Sequence, residues 1–279
     1  MRPDGRRIKT LDPIFKMVPH IMPHRYDAQV FFETDLDYTK AKKYINAKRK
    51  EGKNISFMSL LIAAYIRTVA DMPALNRFIM AKKVFARKEL TVSFAIIRAE
   101  GTQEDSMETT TKVWFNPSDT VFEVSEKINA TITENRKMNN ANITDKLASF
   151  FMSIPLIPGG LIAFVKGLDK IGWLPKVILD GSPFHTSMFI TNMASINLGA
   201  VHHHVYEFGT TSVFLGMGKM QDKTEPGGPK RRVIPIGVVV DERIAAGITF
   251  ARGFNSIKHY MSHPELLEVP PEKVVEDIR

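Results

Sequence analysis

From Phe57 to Ala70 the chain reads FMSLLIAAYIRTVA, and as a helix this run is apolar around nearly its whole circumference. Such a helix has no face to offer water and has to sit inside a core. Ser56 supplies an N-cap before it and Pro73 a stop after it. The chain must therefore wrap further elements around this helix, which a length of 279 residues with 44% hydrophobic side chains allows. Val233 to Val240 is the complementary signal, a short apolar run that reads as a strand buried on both faces.

The remaining pattern supplies the layers. Gln29 to Thr34 alternates apolar and polar residues as a strand does, and Asp35 to Asp37 then caps a Lys-rich exposed helix over Tyr38 to Lys50. Phe78 to Met80, Val84 to Arg87, Thr91 to Arg98 and Thr110 to Phe115 read as strands, with Gly101 to Ser106 as an exposed connection. Val121 to Lys137 is an amphipathic helix by the spacing of Val121, Val124, Ile128 and Ile132. Met188 to Thr191 and Ser212 to Gly216 are further strands, and Ala251 to Ser262 is a closing helix stopped by His263-Pro264. Strands and helices alternate irregularly, so the expected class is α/β, a large mixed sheet packed by helices rather than a doubly wound parallel sheet. No Gly-rich dinucleotide fingerprint or phosphate-binding loop is present.

One segment stands apart. Leu147 to Leu179 is unusually apolar; Ile171 to Leu179 is its second piece, and in the first, uncharged piece, Leu147 to Val165, Pro155, Pro158, Gly159 and Gly160 sit in the middle before it reaches spanning length. Two short helices with a break are expected there. The segment is expected to line a channel or be buried internally or between subunits, with membrane-surface contact as the lesser alternative.

Composition excludes several chemistries. With no cysteine, thiolate zinc sites, iron–sulfur clusters, a Cys nucleophile and dithiol redox chemistry are impossible. The net charge of +8 is spread over clusters at Arg2 to Lys9, Lys40 to Lys53 and Lys230 to Arg232, none with the spacing of a nucleic-acid motif. No nucleic-acid partner is expected. The N-terminus carries no apolar core of signal-peptide length, so a cytoplasmic location is expected.

MPHRYDAQVFFETDLDYTKAKKYI from Met22, SFMSLLIAAYIRTVADMPALNRFI from Ser56, MFITNMASINLG from Met188 and VVVDERIAAGITFARGFNSIKHYMSHPELL from Val238 carry a resemblance in shared order and spacing. Together they resemble the catalytic domain of 2-oxo-acid dehydrogenase acyltransferases, whose fold chloramphenicol acetyltransferase shares. The resemblance covers nearly the whole chain, apart from the apolar segment and the Gly227-Gly228 loop. It implies a single acyltransferase-like domain over residues 1–279 with no lipoyl or subunit-binding domain. It also implies a homotrimer with active sites between subunits, and coenzyme A or acyl-CoA as substrate. The acceptor would be a small hydroxyl or thiol compound, and the apolar segment points to lipid or aromatic alcohols. In that family a His base takes the acceptor's proton, and a hydroxyl from the Ser-Asn-Leu-Gly strand and turn stabilises the oxyanion.

Here the family's Asp-His-Arg-Val-x-Asp-Gly loop reads Asp241-Glu242-Arg243-Ile244-Ala245-Ala246-Gly247. Glu242 stands at the position of the His and Ala246 at that of the supporting Asp. An ordinary Glu is a weaker base than His by about two pK units. Thr191 keeps a hydroxyl at the oxyanion position, and Asn192 and Arg243 are the coenzyme contacts the resemblance implies. A replacement base could also come from His202-His203-His204, of which His203 and His204 are the leading candidates, or from His185. In a strand, His202 and His204 would point one way and His203 the other. No carboxylate pair completes a metal site at the triplet. Two readings stay open: an acyltransferase with a rearranged base, and a non-catalytic trimeric scaffold or binding protein of the same fold.

Overall fold

The computed structural model describes residues 2–97, 108–137, 158–224 and 230–279, with the isolated positions 146, 149, 153 and 228. In chain order its elements are β1 (Gly5–Arg7), α1 (Pro13–Ile21), β2 (Gln29–Asp37), α2 (Tyr38–Lys50), α3 (Phe57–Asp71), β3 (Arg77–Met80), β4 (Lys83–Arg87), β5 (Leu90–Ile97), β6 (Glu108–Phe115) and α4 (Val121–Lys137). They continue as α5 (Pro158–Ile171), α6 (Lys176–Gly181), β7 (Met188–Asn192), β8 (Val213–Met217), β9 (Gln221–Thr224), β10 (Lys230–Asp241) and α7 (Gly247–Ser262).

The expected core helix is α3, buried continuously from Ser59 to Ala70. The Ser56 hydroxyl accepts from the Ser59 N–H at 3.0 Å and closes its first turn. Even Arg67 is buried in α3, because its guanidinium reaches out to the carbonyls of Leu266 and Val269. Against α3 lie α4, α7 and one face of the main sheet. That sheet is mixed, in the order β2-β10-β8-β7-β5-β6, with β9 paired to β10. β5–β7 and β7–β8 are parallel and the other pairs antiparallel. β1, β4 and β3 form a separate antiparallel sheet.

Register assigns each strand residue a face. Met188 pairs with Val213 and Val213 with Val240, and these side chains join the helix-covered core. Phe189, Phe214 and Val239 form the neighbouring row on the opposite face, where they pack with Val205 and Tyr206. One row further along that second face runs Thr191, Gly216, Gly237 and Glu33. The two glycines are required there by close approach: a Cβ on Gly216 or Gly237 would lie 2.2 or 2.3 Å from the Val201 carbonyl oxygen. Through this notch the chain crosses the sheet on its way from β7 to β8.

The apolar segment differs in detail from its expectation. Residues 147–157 lie mostly outside the described residues, as do the Gly101 to Ser106 connection and Gly227. The expected break at Pro155 to Gly160 falls largely outside the described residues; within the described part, α5 and α6 are separated at Gly172–Pro175. Pro158 opens α5, where its missing N–H costs nothing, and Gly159 and Gly160 are carried in the first turn. The inner side of α5 packs through Val165 and Leu168 with Leu174, Ile178, Leu179 and Phe208. Its outer side is not buried: Ile162, Phe164 and Ile171 are exposed in this chain. No described helix is long and apolar enough to cross a membrane.

Candidate functional site

β10 ends at Asp241, and the next five residues form the loop that delivers the chain into α7. A buried bidentate pair braces it: Arg243 donates from Nε to Asp241 Oδ1 at 2.8 Å and from Nη2 to Oδ2 at 2.7 Å. The remaining Arg243 donor, Nη1, reaches the Met22 carbonyl at 3.0 Å. The guanidinium is thus buried and occupied within this chain, where it shapes the loop. Between the two, Glu242 is tied only by its backbone, whose N–H donates to the Ala28 carbonyl at 2.9 Å. Its side chain is exposed.

Glu242 stands on the wall of a cavity of about 460 Å³ on the helix-covered side of the sheet. Phe15, Val18 and Met22 from α1 and its end, Val30 and Phe32 from β2, and Phe250 from α7 supply most of the lining. Among the described residues Glu242 is the one charged group in that lining. Ala246 lines the same cavity and occupies the N-cap of α7, which has no side-chain cap. Sequence reasoning missed α1 and therefore Phe15, Val18 and Met22 of this wall. Its signal is Asp12-Pro13 followed by Ile14, Met17, Val18 and Ile21, and in the structure the Asp12 carboxylate does cap α1 by accepting from the Ile14 N–H at 3.0 Å.

Thr191 and Asn192 end β7. The Thr191 hydroxyl is shielded from solvent and has no hydrogen-bond partner among the described residues, and the same holds for Asn192 Oδ1. Buried polar atoms in that state are uncommon and call for an explanation. Thr191 lies on the second face of the sheet, so within one chain the sheet itself separates it from the Glu242 cavity.

The His triplet lies on Thr191's face, just after the glycine notch. His202 is exposed, with Nε2 3.0 Å from the Phe32 carbonyl oxygen and its ring edge-on to Phe31. His203 turns inward and stacks on Phe214 at 4.3 Å and 3°, with Nδ1 3.1 Å from the His204 carbonyl oxygen. His204 is exposed and stacks loosely on His203. The alternation expected of the triplet is present although the segment is irregular, and the packing makes His203 a wall residue. Among the described residues no cluster of three or more metal-ligating side chains occurs.

His185 belongs elsewhere. It is 4% exposed, with Nδ1 2.8 Å from Ser182 Oγ and Nε2 3.0 Å from Asp169 Oδ2, while Arg2 Nη2 donates to Asp169 Oδ1 at 2.8 Å. Burial lowers the imidazole's pKa, against the opposing pull of Asp169. The order Ser–His–Asp resembles a hydrolase triad, but all three residues are sealed, and their effect is to clip the N-terminal strand to the end of α5 and the start of β7.

No protein-family profile and no curated protein matches the sequence. Solved structures do. A probable dihydrolipoamide acetyltransferase from Listeria monocytogenes superposes with a TM-score of 0.58 at 12% identity, covering 93% of this chain and 95% of the other. The cubic core of a pyruvate dehydrogenase multienzyme complex gives 0.57 at 12% identity over 93% of each chain. A chloramphenicol acetyltransferase gives 0.56 at 11% identity, over 92% of this chain and 99% of that one. The mixed sheet, its helix layer and the order of the elements are thus those of the chloramphenicol acetyltransferase-like fold, shared with the acyltransferase cores of 2-oxo-acid dehydrogenase complexes.

Proposed function

We propose that this chain is a coenzyme A-dependent acyltransferase of the cytoplasm, acting as a homotrimer on a small hydroxyl or thiol acceptor. The observation that carries the reading is the buried hydroxyl of Thr191 at the end of β7, which has no hydrogen-bond partner among the described residues. A developing oxyanion is the acceptor such a hydroxyl lacks. Glu242 and Thr191 sit on opposite faces of one sheet, so a joint site needs Glu242 of one subunit and Thr191 of a neighbouring subunit. In the step itself the acceptor O–H or S–H attacks the thioester carbonyl while Glu242 takes its proton. The tetrahedral oxyanion forms against Thr191, the carbon–sulfur bond then breaks, and the proton passes to the departing coenzyme A thiolate. The apolar cavity at Glu242 favours an apolar acceptor or acyl chain, and Asn192 is a second polar contact at the same turn.

The test is thiol release from acetyl-CoA and longer acyl-CoAs against a panel of lipid and aromatic alcohols and thiols. Turnover that falls in Thr191→Ala supports the reading, and absence of turnover across the panel overturns it. A second reading, a non-catalytic scaffold, is favoured by the unsupported carboxylate of Glu242 and the missing carboxylate at Ala246. It predicts that Glu242→His with Ala246→Asp creates turnover absent from the native chain, and native turnover together with tight coenzyme A binding by calorimetry would sink it.

A further inference from the structure

The outer side of α5, the loop after it and the start of α6 expose large apolar side chains at a density that a soluble surface rarely shows. Ile162 is 45% exposed, Phe164 62%, Ile171 60%, Trp173 74% and Val177 64%. Phe164 and Ile171, seven residues apart, share one flank of the helix. Lys166 and Lys170 are exposed among them. Their long stems can lie along the apolar surface while the ammonium groups reach outward.

This apolar flank runs directly into a basic groove. Lys170 and Ile171 line a cavity of about 950 Å³ together with Arg7, Lys9 and Lys83, which come from β1, the residues after it and β4. Among its described lining residues Glu276 has the one acidic side chain. Arg7, Lys9, Lys83 and Lys170 are exposed and make no ion pair among the described residues. Arg6, in the same lining, donates to the carbonyls of Asp277 and Ile278, so its positive charge is also left uncompensated. The end of α5 and β1 are held together rigidly: Arg2 bridges Asp4 and Asp169, and its Cγ packs where a Cβ on Gly172 would fall.

We propose that this face docks on an anionic lipid surface, with Phe164, Ile171 and Trp173 entering the interface and Arg7, Lys9, Lys83 and Lys170 lying against the phosphate headgroups. An exposed apolar helix flank, a Trp at its end and a cationic border match the requirements of an interfacial helix. A two-fold pairing of two copies through this face would bring the same unpaired cations together, which disfavours that occupant. The proposal is independent of acyl transfer.

The chain has 2 tryptophans, so Trp114→Phe leaves Trp173 as the sole tryptophan, excited selectively at about 295 nm. That variant should co-sediment with phosphatidylcholine vesicles containing phosphatidylglycerol, and Trp173 emission should move to the blue. Pure phosphatidylcholine should bind far more weakly, and high salt should release the protein. Arg7→Gln with Lys170→Gln should weaken binding roughly 30-fold, at about fivefold per cation near the surface. Phe164→Ser should abolish the blue shift's salt-resistant part while leaving the thermal melt unchanged. If Phe164→Ser fails to fold, iodide quenching of Trp173 in the Trp114→Phe chain decides the matter, since vesicles must protect it. Several results would overturn the proposal: no co-sedimentation, equal binding to pure phosphatidylcholine, or retention on heparin without vesicle binding. Trp173 burial that rises with protein concentration in the absence of lipid would do the same, by assigning the face to a second copy.

Discussion

Thr191→Val separates the stability of the fold from the chemistry of the site, because the two should move in opposite directions. Valine keeps the shape and β-branching of threonine and replaces only the hydroxyl. In the native chain that oxygen is shielded from water and finds no partner among the described residues. Leaving a buried hydroxyl unsatisfied costs about 1–3 kcal/mol, so removing it should leave the fold as stable as before or more stable by about 1 kcal/mol or more. In catalysis the same hydroxyl is the oxyanion donor, and removing one such donor costs on the order of 10²–10³ in kcat. Urea denaturation reads the first effect and thiol release from acyl-CoA the second, with Thr191→Ser as the control that keeps the hydroxyl. If valine destabilises the protein by more than about 1 kcal/mol, the hydroxyl was bonded in the native state, and the reasoning fails at its first step. If turnover is unchanged, it fails at the second.

Gly237→Ala should cost about 2–3 kcal/mol in urea denaturation, because its Cβ would lie 2.3 Å from the Val201 carbonyl oxygen and the crossing segment must lift. The ring-current shift that Phe214 imposes on His203 should shrink with it. Ala246→Asp should raise the melting temperature by the equivalent of about 1 kcal/mol, since it adds the side-chain cap that α7 lacks, whether or not it restores activity. Burial lowers the Lys112 amine from 10.5 to about 7 while its Nζ donates to the Leu179 carbonyl. Between those values the unfolded chain binds a proton that the folded chain does not, so this group makes stability rise with pH across that window, with its full cost below it. That cost is at most about 5 kcal/mol. Lys112→Met should therefore stabilise the protein at neutral pH, less about 1 kcal/mol for the lost hydrogen bond, and the gain should vanish as pH approaches 10.5; a pH-independent difference would refute this.

How far the fold could be read depended on how strongly each segment's own periodicity bound it. α3 and the buried strand within β10 were legible because a helix or strand apolar on every side has one environment open to it. α2 was legible from the Asp37 cap, whose Oδ1 accepts from the Thr39 N–H at 2.8 Å. What could not be read was tertiary. β1 is three residues with no pattern of its own and exists through its pairing with β4. The Gly216 and Gly237 notch is two isolated glycines in the sequence, and becomes a crossing only when the register places them side by side. Position 243 shows the same limit in the site: the resemblance points its arginine at a coenzyme, while Asp241 and the Met22 carbonyl hold it inward.

That inward arginine bears on how the chemistry at position 242 could have changed. The loop's course depends on the Asp241–Arg243 pair, on the backbone bond from Glu242 to Ala28 and on the buried side chains of Ile244 and Ala245. None of these uses the side chain at 242 or at 246. The backbone can therefore carry a carboxylate or an imidazole at 242 in the same place, with the apolar cavity on one side of it and solvent on the other. A base at this position is set by its side chain alone and not by a rebuilt scaffold. This is why the Glu242→His and Ala246→Asp exchange is a clean experiment: any activity it adds or removes reports the chemistry of those two groups at a fixed geometry.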